Sequence, residues 1–213
     1  MDKCFVAIAG NIGVGKSSLT ALLAQRLNWQ PFYEAADENP YLADFYADMR
    51  RWSFHSQVFF LTRRVRHHQQ LARSPYSVIQ DRTIYEDAEV FARNLYEQGH
   101  MDARDYASYS ALYEVFRHLL APPHLVVYLR ASLPILLRRI TLRGRDFERR
   151  ISREYLEQLN VLYERWAGSF TLCPVLIIDT DPLDFVHSAV DLEEIVGRIR
   201  DRCAGLSLPR GTL

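Results

Sequence analysis

Gly10-Asn11-Ile12-Gly13-Val14-Gly15-Lys16-Ser17 matches the pattern G-x-x-x-x-G-K-[ST] at every defined position, and the apolar run Phe5-Val6-Ala7-Ile8-Ala9 leads into it. That is the strand-to-loop context in which such a stretch cradles phosphate. Its glycines let backbone amides turn inward around phosphate oxygens, Lys16 brings a mobile positive charge to the β- and γ-phosphates, and Ser17 offers a hydroxyl to magnesium. Leu19, Leu22, Leu23 and Leu27 then recur at helical spacing, so a helix N-terminus would aim its dipole at the same anion. A glycine-rich turn that binds nothing is the alternative, and the flanking strand and helix argue against it. The loop leaves the phosphoryl acceptor open, because switches, motors and small-molecule kinases share it.

At 213 residues the chain is long enough for one α/β domain and short for two. A single domain over 1–204 with a frayed tail over 205–213 is expected. The 26 basic and 26 acidic residues cancel, which removes any bulk electrostatic case for nucleic acid or an anionic membrane. Cys4, Cys173 and Cys203 are widely spaced and odd in number, fitting neither a disulfide framework nor a zinc site. They read as buried or inert thiols. The seven histidines show no metal-ligand spacing and read as surface or packing residues. With no h-region before the first strand and no apolar run of spanning length, the chain reads as a soluble cytoplasmic protein.

Beyond the first helix, Trp29 to Tyr33 reads as a second strand ending at Glu34. The carboxyl ends of parallel strands face the ligand crevice, so Glu34 would emerge beside the loop; a solvated carboxylate in the acidic run Glu34, Asp37, Glu38 is the other reading. Phosphoryl transfer to a hydroxyl needs a carboxylate near the attacking oxygen, and Glu34 is the leading candidate. A long helical pattern from about 51 to 71 carries the stripe Phe54, Val58, Leu61 and Val65, with Gln57 and Arg64 near one another on a face. A buried Gln and Arg would suit the edge of a base, although such residues are more often solvated. The run from Ser77 ends at Asp81-Arg82-Thr83, where Asp81 could serve magnesium directly or through water.

Helical patterns over 84–96 and 102–120 follow, the second carrying Tyr106, Tyr109, Tyr113 and Phe116 as core or subunit-interface material. Leu125 to Leu129 is the next strand, and a helix over 132–142 leads into the basic cluster Arg138, Arg139, Arg143, Arg145. Arginines there can cover a triphosphate, or simply complement a helix C-terminus. A helix over 152–166, a strand over 174–178 and a helix over 185–203 complete the pattern. The sum is a three-layer α/β fold of the phosphate-loop kinase type, with a five-stranded parallel sheet flanked by helices and a short arginine-rich lid at about 139–150.

These motifs together resemble the deoxyribonucleoside kinase family, and within it the bacterial deoxyadenosine and deoxyguanosine kinases. The resemblance rests on GNIGVGKSS, Glu34, Tyr46 followed by RRWSFHSQ, the triplet DRT, and RGRDFE followed by EYLEQL, in the family's order over most of residues 3–180. It implies that Gly10, Asn11, Ile12, Gly13, Val14, Gly15, Lys16, Ser17 and Ser18 hold the ATP triphosphate, and that Ser17 and Asp81 serve Mg2+. Glu34 would activate the sugar 5′-hydroxyl with Arg82 beside it, Tyr46 and Glu148 would hold the 3′-hydroxyl, Gln57 would pair with the base and Phe91 would stack on it. Arg139, Arg143 and Arg145 would form the lid.

The resemblance also implies that Arg64 and Asp87 mark members accepting purines and deoxycytidine, where thymidine-preferring members carry apolar or small residues. The expected reaction is therefore transfer of the ATP γ-phosphate to the 5′-hydroxyl of deoxyadenosine or deoxyguanosine, in nucleotide salvage, by a homodimer. Deoxycytidine preference or broad acceptance is the alternative. Thr83 stands where Ser is common and Asp81 where some relatives have Glu, which keeps the oxygen chemistry but can shift metal distance and acceptor choice. An ATPase or switch would not need a second pocket, and a silent binding relative would lack Glu34 or a lid arginine.

Overall fold

A computed structural model describes residues 3–33, 38–146, 148 and 151–205. Five strands, β1 (Phe5–Gly10), β2 (Gln30–Phe32), β3 (Val78–Asp81), β4 (Leu125–Arg130) and β5 (Val175–Asp179), form a parallel sheet in the order β2-β3-β1-β4-β5. The expected five-stranded architecture is present. β1 is central and wholly buried, as its unbroken apolar run requires of a parallel strand covered on both faces. Its alternate side chains enter two separate cores. Phe5, Ala7 and Ala9 join the core that includes Leu61, Phe91, Tyr109 and Tyr163. Val6 and Ile8 face Leu19, Leu23, Ile195 and Ile199 on the other side.

The helices are α1 (Lys16–Leu27), α2 (Leu42–Ala47), α3 (Met49–Arg73), α4 (Ile84–Glu86), α5 (Arg93–Glu97), α6 (Ala103–Leu119), α7 (Leu133–Arg143), α8 (Arg153–Ser169) and α9 (Ala189–Ala204). A π-helical segment, Asp87–Ala92, joins α4 to α5 within what the sequence pattern reads as one ordinary helix. The short aromatic stretch after Pro40 is helical, with Leu42 and Phe45 buried. Tyr109 and Tyr113 of the α6 stripe are core residues, and Tyr106 stacks on Tyr96 with ring centroids 4.4 Å apart.

Two expectations need correction. β2 spans less than the apolar run from Trp29 to Tyr33. The last helix begins four residues later than residue 185: Ser188 caps it, its Oγ accepting from the Asp191 amide, while Phe185 turns inward to pack beneath Gly15. All three cysteines are free thiols, as expected, and the Cys4 and Cys203 sulfurs lie 3.1 Å apart, joining the start of β1 to the last turn of α9. Burial pushes the Cys173 thiol up to about 12, which keeps it inert. His68 is a packing residue, edge-on to Phe5 and bonded to the Ala121 carbonyl. Among the described residues, no helix is long and apolar enough to cross a membrane.

Candidate active site

The site lies at the carboxyl ends of β1 and β3. Gly10 leaves β1 at φ 141, and a Cβ there would stand 2.6 Å from the Leu129 carbonyl oxygen; only glycine lets the chain pass so close to β4. Gly15 at φ 106 is the residue before α1, and no side chain caps that helix. The first-turn amides of α1 are therefore available to an anion. Asn11 anchors the loop to α8, its Nδ2 donating to the Leu156 carbonyl at 2.9 Å and to Asn160 Oδ1 at 2.6 Å. Its Oδ1 accepts from the Ile12 amide at 2.7 Å. The buried Lys16 ammonium donates to the carbonyls of Gly10 at 2.8 Å and Asn11 at 3.0 Å, inside the loop it serves.

Ser17 donates to Asp81 Oδ2 at 2.5 Å. The two oxygens are hard donors of the kind magnesium takes. Among the described residues no group of three or more His, Cys, Asp or Glu could hold a metal, so a magnesium here would complete its shell with phosphate and water oxygens.

One pocket joins this loop to the predicted acceptor residues. Ile12, Gly13, Gly15, Lys16, Ser17 and Ser18 line one end; Tyr46, Gln57, Arg82, Asp87, Phe91 and Glu148 line the rest, with Arg143 and Arg145 at the rim. Residues from five separate stretches of chain are thus brought together. Gln57 and Arg64, whose ordinary fate on a helix is solvation, are 4% and 3% exposed. The Arg64 Nε donates to Asp87, and its Nη1 reaches the Asp81 carbonyl at 3.4 Å. Gln57 Oε1 is buried and has no hydrogen-bond partner among the described residues. Such an orphaned acceptor is costly unless a ligand supplies the donor.

Arg82 sits in the left-handed region at φ 67, and its guanidinium lies 4.2 Å from the centre of the Phe91 ring. A side chain with a Cβ held in that region stores backbone strain, a recurrent property of functional positions. Tyr46 meets Phe45 edge-on with centroids 5.0 Å apart.

The arginines divide. Arg143 grips buried Glu148 with two hydrogen bonds, Nε to Oε2 at 3.0 Å and Nη2 to Oε1 at 2.6 Å, and Arg145 Nη1 stands 3.7 Å from the same carboxylate. Arg139 is different. It lies within α7, and its guanidinium bonds the Val14 carbonyl at 3.0 Å and both oxygens of Thr180, at 3.0 Å and 2.9 Å, with burial lowering its pKa. In this arrangement it braces the back of the loop against the end of β5, whereas Arg143 and Arg145 face the pocket. Glu34 lies outside the described residues, as does Phe147 within the expected lid.

Sequence reasoning overlooked Tyr155, Phe60, Leu42 and Phe45, which also line the pocket, and Glu86, which stands behind it. Glu86 is fully buried, and burial pushes its carboxyl above the usual range against the opposing pull of Arg82 and Lys16. The signal for it was present: Thr83 and Glu86 have the spacing of a capping box, and both of its bonds form.

The chain is similar to known proteins over most of its length. The family model described as deoxynucleoside kinase matches residues 6–204. The chain belongs to the deoxynucleoside kinase family. It is 39% identical over 196 residues to the deoxyadenosine/deoxycytidine kinase of Bacillus subtilis (strain 168), covering 91% of this chain and 90% of that one. It is 32% identical to the deoxyguanosine kinase of the same organism, over 92% of this chain and 96% of that one. The solved deoxyadenosine kinase from M. mycoides, with products dCMP and a flexible dCDP bound, superposes with a TM-score of 0.83 at 32% identity, covering 92% of this chain and 99% of the other. This deoxynucleoside kinase is accordingly an enzyme that phosphorylates deoxynucleosides, built on the phosphate-loop kinase fold.

Proposed function

We propose that this kinase moves the γ-phosphoryl group of ATP to the 5′-hydroxyl of a purine deoxynucleoside, deoxyadenosine first and deoxyguanosine after it. The observation that carries the reading is the buried, unpartnered Gln57 oxygen, in the same pocket as Asp87 and the phosphate loop. Gln57 Oε1 and the Asp87 carboxylate are acceptors, and the exocyclic amino group of adenine is the donor they want. Cytosine carries an amino group at the corresponding edge, which makes deoxycytidine the second reading; the names of the Bacillus subtilis and M. mycoides relatives support both. Thymine offers a carbonyl there and gives the Gln57 oxygen no amino donor, whereas guanine, which also has a carbonyl at that position, keeps its ring N1–H and 2-amino group as donors on the same edge.

In this reading the amides of residues 10–18 and Lys16 hold the triphosphate, and Ser17 and Asp81 hold magnesium, which when bound supplies charge neutralisation at the phosphates. Glu34 takes the proton of the 5′-hydroxyl and Arg82 stabilises charge on the transferring group. Tyr46 and Glu148 fix the 3′-hydroxyl, Gln57, Arg64 and Asp87 read the base, and Phe91 stacks on it. Arg143 and Arg145 cover the donor, with Arg139 holding the loop from behind. The domain is 1–204, with a lid at about 139–150, and the protein works in nucleotide salvage in the cytoplasm. Leu112, Val115 and Leu119 are exposed on α6 and support a homodimer through that helix. A coupled assay of the four deoxynucleosides with ATP and magnesium tests this. Deoxyadenosine should turn over fastest and thymidine slowest; equal rates for thymidine and deoxyadenosine would overturn the base assignment.

A further inference from the structure

Glu86 is fully buried yet sits at no position where it meets substrate. Its Oε1 accepts from the Gly10 amide at 3.2 Å and from the Tyr163 hydroxyl at 2.8 Å. Its Oε2 accepts from the Thr83 amide at 3.0 Å and from the Thr83 hydroxyl at 3.4 Å. One carboxylate therefore ties together the first residue of the phosphate loop, the residue after Arg82, and α8. A capping box accounts for the Thr83 half of this set. It does not account for Gly10 or Tyr163.

The sheet explains why a tie is needed there. Pairing between β1 and β3 ends with Ile8 opposite Asp81, and the last backbone bond across the two strands runs from the Arg82 amide to the Ile8 carbonyl at 3.0 Å. Beyond that point the chains diverge, one into the loop and the other into the strained turn at Arg82. Gly10 and Thr83 have no sheet bond to each other. The Glu86 carboxylate closes this gap, and buried polar groups with all their partners hold geometry tightly.

We infer that Glu86 is a positioning residue, which fixes the separation between the phosphate loop and Arg82 and so aligns donor with acceptor. The inference rests on the proposed assignment of the triphosphate to the loop and of the reacting centre to Arg82. It separates relative placement from binding, because each half of the site keeps its own contacts when the tie is cut.

The test compares Glu86→Gln and Tyr163→Phe with the wild-type enzyme, at a temperature where circular dichroism shows each folded. Glu86→Gln puts an amide donor against either Gly10 or Thr83, and Tyr163→Phe removes one donor without touching the carboxylate. The expected result is a fall in kcat of about 100-fold for Glu86→Gln, the size of a misplacement near 1 Å, and of about 3-fold for Tyr163→Phe. Dissociation constants for a non-hydrolysable ATP analogue and for deoxyadenosine, each measured alone by calorimetry, should stay within about twofold of wild type if each half is intact. Unchanged kcat in folded Glu86→Gln overturns the inference. So does a kcat loss matched by an equal loss of affinity for one substrate, since Glu86 would then serve one half only. If Glu86→Gln does not fold, Tyr163→Phe decides alone, and an unchanged kcat there overturns it. Arg82→Ala in the same series keeps the two readings apart: full activity in Arg82→Ala removes the assignment beneath the inference, whereas an inactive Arg82→Ala beside a fully active Glu86→Gln removes the inference only.

Discussion

The two ends of the pocket, proposed above to take the phosphoryl donor and the acceptor, are built by different means. At the donor end the chain offers backbone amides, an uncapped helix and one lysine, all from a single run of residues beginning at Gly10. At the acceptor end it offers side chains from α2, α3, the π segment and the stretch after α7, held by the buried Arg64–Asp87 pair and the Arg143–Glu148 clamp. Backbone amides recognise charge and shape and accept any triphosphate of the right length. Buried side chains discriminate, because a base that leaves the Gln57 oxygen unpaired costs the full desolvation of that group. In the proposed reading, affinity for the donor is thus a property of a loop, and choice of the acceptor is a property of the packed core.

Three sets of substitutions sharpen that contrast. The largest effect is expected where the two ends meet at the reacting phosphoryl group. Lys16→Ala should lower kcat by about 1000-fold and Glu34→Gln by about 100-fold, read in a steady-state assay; near-normal turnover in folded Glu34→Gln would remove it as the base. Next, Asp87→Ala removes the buried carboxylate to which Arg64 Nε donates and should cost about 3 kcal/mol of stability, seen in urea denaturation. Arg64→Ala combined with Asp87→Ala removes both charges, should recover part of that loss and should admit thymidine; an unchanged substrate profile in the double variant counts against base discrimination by the pair. Smallest is Gln57→Ala, with about a 10-fold weaker affinity for deoxyadenosine and unaltered affinity for ATP. The reverse pattern in titration would place Gln57 at the donor end.

The same contrast explains what could be read from the chain alone. The loop is contiguous, and each of its residue types has a separate chemical reason, so strand, turn and helix follow directly from Phe5 to Leu27. At the acceptor end, position and spacing pointed to Glu34, Gln57 and Arg64, but nothing in the pattern of α3 distinguishes a buried Gln57 or Arg64 from a solvated one, and the roles of Tyr46, Asp87, Phe91 and Glu148 came only through resemblance to relatives. Burial there depends on the π segment and α6 packing against α3, which is a tertiary fact. Arg139 shows the same limit: counted among lid arginines from its neighbours in sequence, it turns from them toward Val14 and Thr180. Cys4 and Cys203 stand at opposite ends of the sequence, so no spacing rule could join them. Glu86 was legible in principle from Thr83, but only its capping half.

Asp87–Ala92 winds more widely than the helical turns on either side of it, and a turn of that kind is equivalent to one residue inserted into an α-helix. Removing one residue between Asp87 and Phe91 would restore the tighter winding and leave the flanking parts in register with each other. Asp87 and Phe91 would then stand three positions apart instead of four, and the aim of one side chain relative to the other would change, although both groups were still encoded. In the proposed reading of the site, the number of residues between Asp87 and Phe91 is therefore itself part of what sets acceptor choice.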